Sequence, residues 1–533
     1  MRKKISCLFI FLLLFIANNE AQKPEIVSKN GRYTLLVDGK PFFILGGQVH
    51  NSSAWPALLP SVWKSAEFMH LNTLEVPIYW EQIEPQKGKF DFSLLNLLLS
   101  QAKSHHSHLV LLWFGTWKNG SNHYMPGWMK KQADKYPNII SKNGKQLDSP
   151  SPLSEATLEA DKKAFREVMR HLKKVDAAHT VIMVQVENEA GTWGSVRDYS
   201  PRAQRLFEGQ VPDELLKPGI LKELNVPVVS SGTWKEVFGD RADEYFHAWN
   251  IASFIGKVAA AGKKEYEIPM YTNAALRDPL TNPPATNYES GGPTDNVISI
   301  WKTAAPALDL VAPDIYLNGN ERVLKVLDLY NRKDNTLFVP EAGLNKVNAK
   351  YLYEVLSRGG IGFAPFGIDN NGDTSGNETL KRRLSPYSKE YAVCSTMLPQ
   401  LAKWASERKI KSAVEGEDHK DHIVDFGDWK CKVIFGGNGR GNAKPVYKEP
   451  LGKALFIELG DDSFLVSGTR CHLRFQTAGK HENEDWQYLK VEEGTFKNGN
   501  FVPSRILNGD ETDFGGPGFG DTPTLLRIIL VRR

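Results

Sequence analysis

Residues 181–190 read Val-Ile-Met-Val-Gln-Val-Glu-Asn-Glu-Ala. The run from Val181 to Val186, broken only by Gln185, has the texture of a strand buried on both faces, as in a parallel sheet. It ends in two carboxylates flanking an amide. Upstream, Phe165, Val168, Met169, Leu172 and Val175 form a helically spaced apolar stripe. A helix feeding such a strand is one repeat of an α/β fold.

The same texture recurs on both sides. A hairpin is predicted from Tyr33–Val37, the turn Asp38-Gly39 and Pro41–Leu45, its second arm continuing through Gly46-Gly47-Gln48-Val49-His50 as the first barrel strand. Further strands are predicted over Thr73–Tyr79, Leu109–Phe114, Val181–Val186, Pro269–Thr272, Leu308–Ala312, Thr336–Val339 and Ile361–Phe366. Eight strands with helical stretches between them predict an α/β fold, a (β/α)8 TIM barrel with enlarged loops. A doubly wound sheet would carry a Gly-rich phosphate loop after its first strand, and residues 46–53, GGQVHNSS, are not one.

After Asp369 the texture changes. Asn370 to Asn377 reads as loop, and about Tyr387–Arg408 as a helical segment that could cap the barrel. His422–Phe426, Lys432–Phe435, Ala454–Leu459, Phe464–Val466 and His472–Phe475 read as short strands between Gly- and Asp-rich turns. These predict a smaller all-β, sandwich-like domain. The expected division is 1–21 leader, 22–385 catalytic barrel, 386–533 helical cap segment and β domain.

The leader expectation rests on Arg2, Lys3 and Lys4 followed by an apolar run to Ala17, too short to span a bilayer comfortably. It implies an exported protein, periplasmic or secreted. No later stretch reads as a membrane span. The 533 residues carry 66 basic and 62 acidic side chains with no long basic run, which argues against nucleic acid as a partner. Cys394, Cys431 and Cys471 allow at most one disulfide and lack metal-site spacing, so stability must come from cores. An aromatic content of 11% suits sugar-ring stacking as well as core packing.

In a barrel, functional groups gather at the C-terminal strand ends. Strand four ends Glu187-Asn188-Glu189, strand seven Pro340-Glu341, strand six is followed by Pro313-Asp314-Ile315-Tyr316, and strand eight by Gly367-Ile368-Asp369. Carboxylates on strands four and seven would face each other across the mouth. That pairing suits glycoside hydrolysis, in which one carboxyl protonates the leaving oxygen and the other attacks the anomeric carbon or activates water.

The run Tyr79-Trp80-Glu81-Gln82-Ile83-Glu84-Pro85, with Gly88 and Phe90-Asp91-Phe92, is similar to the W-x-x-x-E-P-x-x-G-x-F-D-F signature of glycoside hydrolase family 35 β-galactosidases and their family 42 relatives. Gln185-Val186-Glu187-Asn188-Glu189 resembles the family's Q-x-E-N-E element. The resemblance covers about residues 33–370. It implies Glu189 as acid/base, Glu341 as nucleophile, Asn188 as the residue binding the sugar 2-hydroxyl, and Tyr316 as the tyrosine orienting the nucleophile. It implies a retaining mechanism with no metal or organic cofactor, acting on a carbohydrate substrate.

Other residues invite weighing. Glu187, two residues from Glu189 on a regular strand, would face inward one layer below it, either as a support for the acid/base or as a barrel-interior polar contact. Glu84, Asp91 and Asp314 are read as structural. Of Trp80, Trp113, Trp117, Trp128 and Trp193, the two flanked by Gly, Asn and Lys, Trp117 and Trp193, are candidate sugar platforms. His105, His106 and His108 precede strand three, at the wrong end of the barrel for a site, and read as a solvated turn.

The chain also departs from the family. Pro77 replaces the tyrosine found three residues before the signature tryptophan, and Trp113-Phe114-Gly115-Thr116-Trp117 stands where a Cys-Ala-Glu element is expected. The expectation is therefore an exported retaining β-glycosidase, a β-galactosidase releasing β-linked galactose from plant-type oligo- or polysaccharides. Its rivals are the same chemistry on a β-fucoside, α-arabinoside or β-glucoside, and a carbohydrate-binding protein without catalysis.

Overall fold

Eight parallel strands close into a barrel: β1 (Ile44–Gln48), β2 (Thr73–Tyr79), β3 (His108–Lys118), β4 (Val181–Asn188), β5 (Met270–Ala275), β6 (Leu310–Ile315), β7 (Phe338–Ala342) and β8 (Gly362–Pro365). The last strand pairs back onto the first, Gly362 opposite Ile44. The computed structural model describes residues 21–369, 377–435 and 448–533. The expected leader, Ala21 apart, and the loop expected at 370–376 lie outside the described residues.

Each barrel strand coincides with an expected one, because strands with no solvent face are apolar throughout. From β3 to β7 their C-terminal ends run further than expected, while β2 ends at Tyr79 as expected and β1 and β8 stop one or two residues short. Pro313 and Pro340 read as stops, since proline cannot donate to a ladder. Here Pro313 lies inside β6, opposite Ala274. Pro340 sits where the β7–β8 ladder skips from Val339 to Ala342, a bulge that needs no donor from it and that re-aims the next residue, Glu341. β3 overshoots most. Its ladder on β4 jumps from Trp113–Val186 to Lys118–Asn188, so residues 114–117 bulge against Glu187 alone.

The stripe read upstream of β4 belongs to helix α1 (Glu155–Val175), with Phe165, Val168, Met169 and Leu172 buried. Ser154 caps it by accepting from the Thr157 amide at 3.2 Å, a contact of the kind that contributes about 1 kcal/mol. Helix α2 (Ala242–Glu265) packs alongside. Gly262 admits the Phe165 ring, where a Cβ would lie 2.3 Å from the ring edge.

Helix α3 (Asn377–Ser395) covers a flank of the barrel. The Tyr391 hydroxyl donates to the carbonyls of Gly46 at 3.1 Å and Phe363 at 2.8 Å, and Ser388 to that of Phe68 at 2.6 Å. It therefore lies beside β1 and β8, where the ring of helices closes, and does not cap an end of the barrel.

Beyond the helix Leu398–Ser406, a six-stranded and a four-stranded antiparallel sheet share a core that includes Trp429, Phe456, Phe464 and Phe475. Ile410–Val414, Trp486–Lys497, Asn500–Ile506, Gly518–Phe519 and Thr524–Arg532 join the five strands expected there. The β domain is tied to the barrel side by a buried ion pair, Lys453 to Glu390 at 2.8 Å. At the other end, Glu25–Lys29, Arg32–Val37 and Lys40–Phe42 form a small antiparallel sheet containing the expected hairpin, with Asp38 and Gly39 both at positive φ. Cys394, Cys431 and Cys471 are buried and unpaired. No helix among the described residues is long and apolar enough to cross a membrane.

Candidate active site

The β6–β7 register sets Asp314 directly opposite Glu341. Glu189, one residue past β4, completes a buried triad in which one oxygen of each carboxyl lies within 4.8 Å of the others. Glu341 is held by four donors. Tyr316 donates its hydroxyl to Oε2 at 2.7 Å, and Gln48, Asn188 and Asn273 donate amide hydrogens to Oε1 at 2.8, 3.3 and 3.4 Å. Such a set suits an ionised carboxylate. Asn188 is itself fixed, its Oδ1 accepting from Lys118 Nζ at 2.8 Å.

Glu189 sits in a different environment. Its main-chain amide donates to Asn273 Oδ1 at 2.9 Å and its carboxylate accepts from Asn119. Burial, with ionised Glu341 beside it, pushes its carboxyl up to about 7. Burial and the neighbouring Glu341 also raise Asp314 well above the usual carboxylate range. The site thus pairs a carboxylate surrounded by donors with a carboxylic acid that keeps its proton near neutral pH, which is the division of labour that acid-assisted displacement requires. Glu189, Asp314 and Glu341 are also, among the described residues, the group spaced to hold a metal ion.

Four expected residues thus meet in one place: Glu189, Glu341, Asn188 and Tyr316. Trp193 stands at the rim, half exposed, its Nε1 donating to Glu289 at 2.7 Å. Trp117 does not join them. It is fully buried and packs edge-on against Phe254 with centroids 4.9 Å apart, so no face is open to a sugar. Asp314, read as structural, belongs to the triad. Glu84 and Asp91 do serve local structure: Glu84 accepts from Trp80 Nε1 and the Gly88 amide, and Asp91 from the Ser93 amide. His105 stacks on Trp63 and bonds Glu67, while His108 packs on Phe42.

Glu187 is a second correction. Both Glu187 and Glu189 have positive φ, 63° and 43°, so the alternation of a regular strand fails between them. Glu187 turns outward toward α1, accepts from the Trp117 amide at 2.7 Å and meets Asp161. Asp161 accepts from Trp113 Nε1 at 2.9 Å and from Thr116. The pair clamps the bulge at 114–117, and so positions Lys118 and Asn119, which hold Asn188 and Glu189. Burial raises both carboxyls, Glu187 well above its ordinary range and with Asp161 adding to it.

Acids raised on folding stabilise fully below their unfolded pKa and lose that stability as pH rises through the folded value. Glu187→Gln mimics the protonated acid, accepting from Trp117 and donating to Asp161. Its Tm should therefore fall less than the wild type's between pH 5 and pH 8, while Glu187→Leu should cost about 1–3 kcal/mol at either pH by leaving the buried Trp117 amide without its acceptor. Parallel pH dependences for wild type and Glu187→Gln in thermal melts would refute a shared proton.

Gln48, Lys118, Asn119, Asn273 and Glu289 were not anticipated. Gln48 alone carried a usable signal, a polar residue ending an apolar strand.

A family profile described as beta-galactosidase matches residues 59–226, and one described as a domain of unknown function matches residues 387–516. A beta-galactosidase of Xanthomonas manihotis is 27% identical over 173 residues, 30% of this chain and 26% of that protein. Beta-galactosidase 17 of Arabidopsis thaliana is 28% identical over 195 residues, 34% of this chain and 25% of that protein. The matched segment thus spans about a quarter of the length of these relatives. The crystal structure of a beta-galactosidase from Bacillus circulans sp. alkalophilus superposes with a TM-score of 0.51 at 12% identity, covering 91% of this chain and 99% of that one. The shared feature at that identity is the architecture, a TIM barrel followed by β structure.

Proposed function

We propose that the chain is an exported retaining β-galactosidase of the glycoside hydrolase family 35 and 42 type. The observation that carries this reading is the triad at the barrel mouth, in which the carboxyl oxygens of Glu189 and Glu341 approach within 4.8 Å. Retaining enzymes hold their carboxyls about 5–5.5 Å apart and inverting ones about 6.5–9.5 Å, to leave room for water. The galactose assignment is supported by the relatives' printed activities, and export by the basic, apolar N-terminal composition.

In the proposed reaction the Glu341 carboxylate attacks the anomeric carbon. The glycosidic C–O bond breaks as Glu189 delivers its proton to the leaving oxygen. The glycosyl ester formed on Glu341 removes that residue's charge, which lowers the proton affinity of Glu189. Glu189, now ionised, takes a proton from water as its oxygen attacks the anomeric carbon, freeing Glu341 and returning both groups to their starting states. Tyr316, Gln48, Asn188 and Asn273 stabilise Glu341 while it is charged and orient it for attack.

A panel of aryl β-galactosides, β-fucosides, α-arabinosides and β-glucosides, with the first-formed anomer followed by NMR, tests sugar and mechanism together. The expected result is highest kcat/KM on the galactoside and β-galactose released first. Release of the α-anomer would exclude double displacement. Absence of turnover on every glycoside, with glycan binding intact, would replace the enzyme reading by a binding one.

A further inference from the structure

Trp193 lies between Gly120 and Glu289. Its indole is half exposed. The ring is nonetheless fixed. Its Nε1 donates to Glu289 Oε1 at 2.7 Å. Its edge lies against Gly120, where a Cβ would be 3.3 Å from Cδ1. The Gly120 amide in turn donates to the Glu189 carbonyl at 3.0 Å, which places the indole beside the proposed acid/base.

Glu289 is itself locked. It arrives on the loop after β5 and is buried. Next to it, Thr192 and Ser290 exchange two main-chain hydrogen bonds at 2.9 and 3.1 Å. Gly191, at a φ only glycine readily adopts, lets that loop approach, since a Cβ there would lie 2.8 Å from Glu289. The second carboxyl oxygen of Glu289 is buried and has no partner. Its neighbour Ser290 pairs with Thr192, three residues past Glu189, so it stands on the acid/base side of the cleft. A retaining mechanism puts the acid/base next to the leaving oxygen, and whatever follows that oxygen extends past the same wall.

We propose that Trp193 is the stacking platform for a saccharide leaving group, with Glu289 as the positioning residue that holds its indole in place. This rests on the glycosidase reading above and narrows it: the substrate class is a galactosyl saccharide, in which the group released is itself a sugar. A flat indole face matches the apolar face of a pyranose ring. A carboxyl that accepts at the indole N–H removes the rotational freedom that stacking would otherwise have to freeze.

β-Galactosyl fluoride and a set of β-linked galactosyl disaccharides of differing linkage make the test. Fluoride has no leaving-group ring to stack, so the ratio of kcat/KM on the best disaccharide to that on the fluoride reads the platform alone. Wild-type turnover of the fluoride tests the glycosidase reading, and its absence would sink that reading first. Given turnover, Trp193→Ala should lower the ratio on the order of tenfold or more, chiefly through KM of the disaccharide. Glu289→Leu should lower it in the same direction, and Glu289→Gln, which still offers an oxygen to the indole, should restore it toward wild type. Ratios within about twofold of wild type in both Trp193→Ala and Glu289→Leu would overturn the proposal, as would equal losses on both substrates or a wild type that turns over the fluoride and none of the disaccharides.

Discussion

Glu341→Gln should lower kcat on every glycoside by at least about ten-thousandfold, the scale seen when a nucleophile that acts as part of a unit is removed, while the fold survives. The substitution is gentle on the structure. A glutamine at 341 can turn its oxygen to the amide donors of Gln48, Asn188 and Asn273, and its NH2 to the Tyr316 oxygen, which then accepts. The three amide donors keep their acceptor, the half-exposed Tyr316 hydroxyl can turn its hydrogen to solvent, and the volume is nearly unchanged, so Tm should stay within a few degrees of wild type. What is lost is the negative charge that bonds to the anomeric carbon.

The charge has a second effect that can be measured separately. Ionised Glu341 is one of the two causes that hold the proton on Glu189. In Glu341→Gln that cause is gone, and the Glu189 carboxyl should titrate below its wild-type position of about 7, as followed by the carboxyl carbon shift in NMR. The smaller variant Glu341→Ala opens space for azide, and added azide should then give the α-galactosyl azide from an activated galactoside. Residual activity above about a hundredth of wild type in Glu341→Gln, in a protein shown free of contaminating glycosidase, would remove Glu341 from the nucleophile's role.

The barrel was legible because its strands are buried on both faces, and burial leaves no room for polar alternation. The ends of those strands were less so. Pro313 and Pro340 look like terminators, yet at the mouth of a barrel the ladders are opening and a missing donor costs little. Reading β6 as ending at Ala312 put Asp314 in a loop. In the structure it is the strand neighbour of Glu341. Positive φ at Glu187 and Glu189 could not be read from residue types, since glutamate rarely adopts it. The alternation rule therefore placed Glu187 under the acid/base when it faces α1.

Trp117 and Trp193 show the same limit in another form. Both have small and polar neighbours in sequence, and both follow barrel strands. The β3 bulge turns Trp117 onto Phe254, whereas Trp193 lies beyond Gly191 on a loop that runs along the rim. Local composition could not tell a bulge from a rim. Glu289 and Lys118 were missed for a different reason: each is an ordinary charged residue in its own segment, and only closure of the barrel brings it to the carboxylates.

Glu189→Gln should separate proton donation from binding. The variant keeps the acceptor for Asn119 and the burial of the side chain, and loses only the transferable proton. On galactosyl disaccharides, whose leaving oxygen is strongly basic, kcat/KM should fall by about a hundred- to ten-thousandfold. With 2,4-dinitrophenyl β-galactoside, whose leaving group departs without protonation, glycosylation should be nearly unaffected, and the loss should appear in the hydrolysis of the glycosyl ester, where Glu189 serves as base. KM for that substrate should therefore fall together with kcat, because the ester accumulates. The pH profile gives the matching sign. Wild-type kcat/KM on a disaccharide needs Glu189 protonated and should decline above about pH 7, while the residual kcat/KM of Glu189→Gln on the dinitrophenyl galactoside should lack that decline. Azide should speed the variant and yield the β-galactosyl azide, opposite in configuration to the product from Glu341→Ala. If instead Glu189→Gln loses activity equally on both leaving groups and keeps the alkaline decline, the proton donor is another member of the cluster, and Asp314, raised by the same burial and the same neighbour, is the group the next substitution must address.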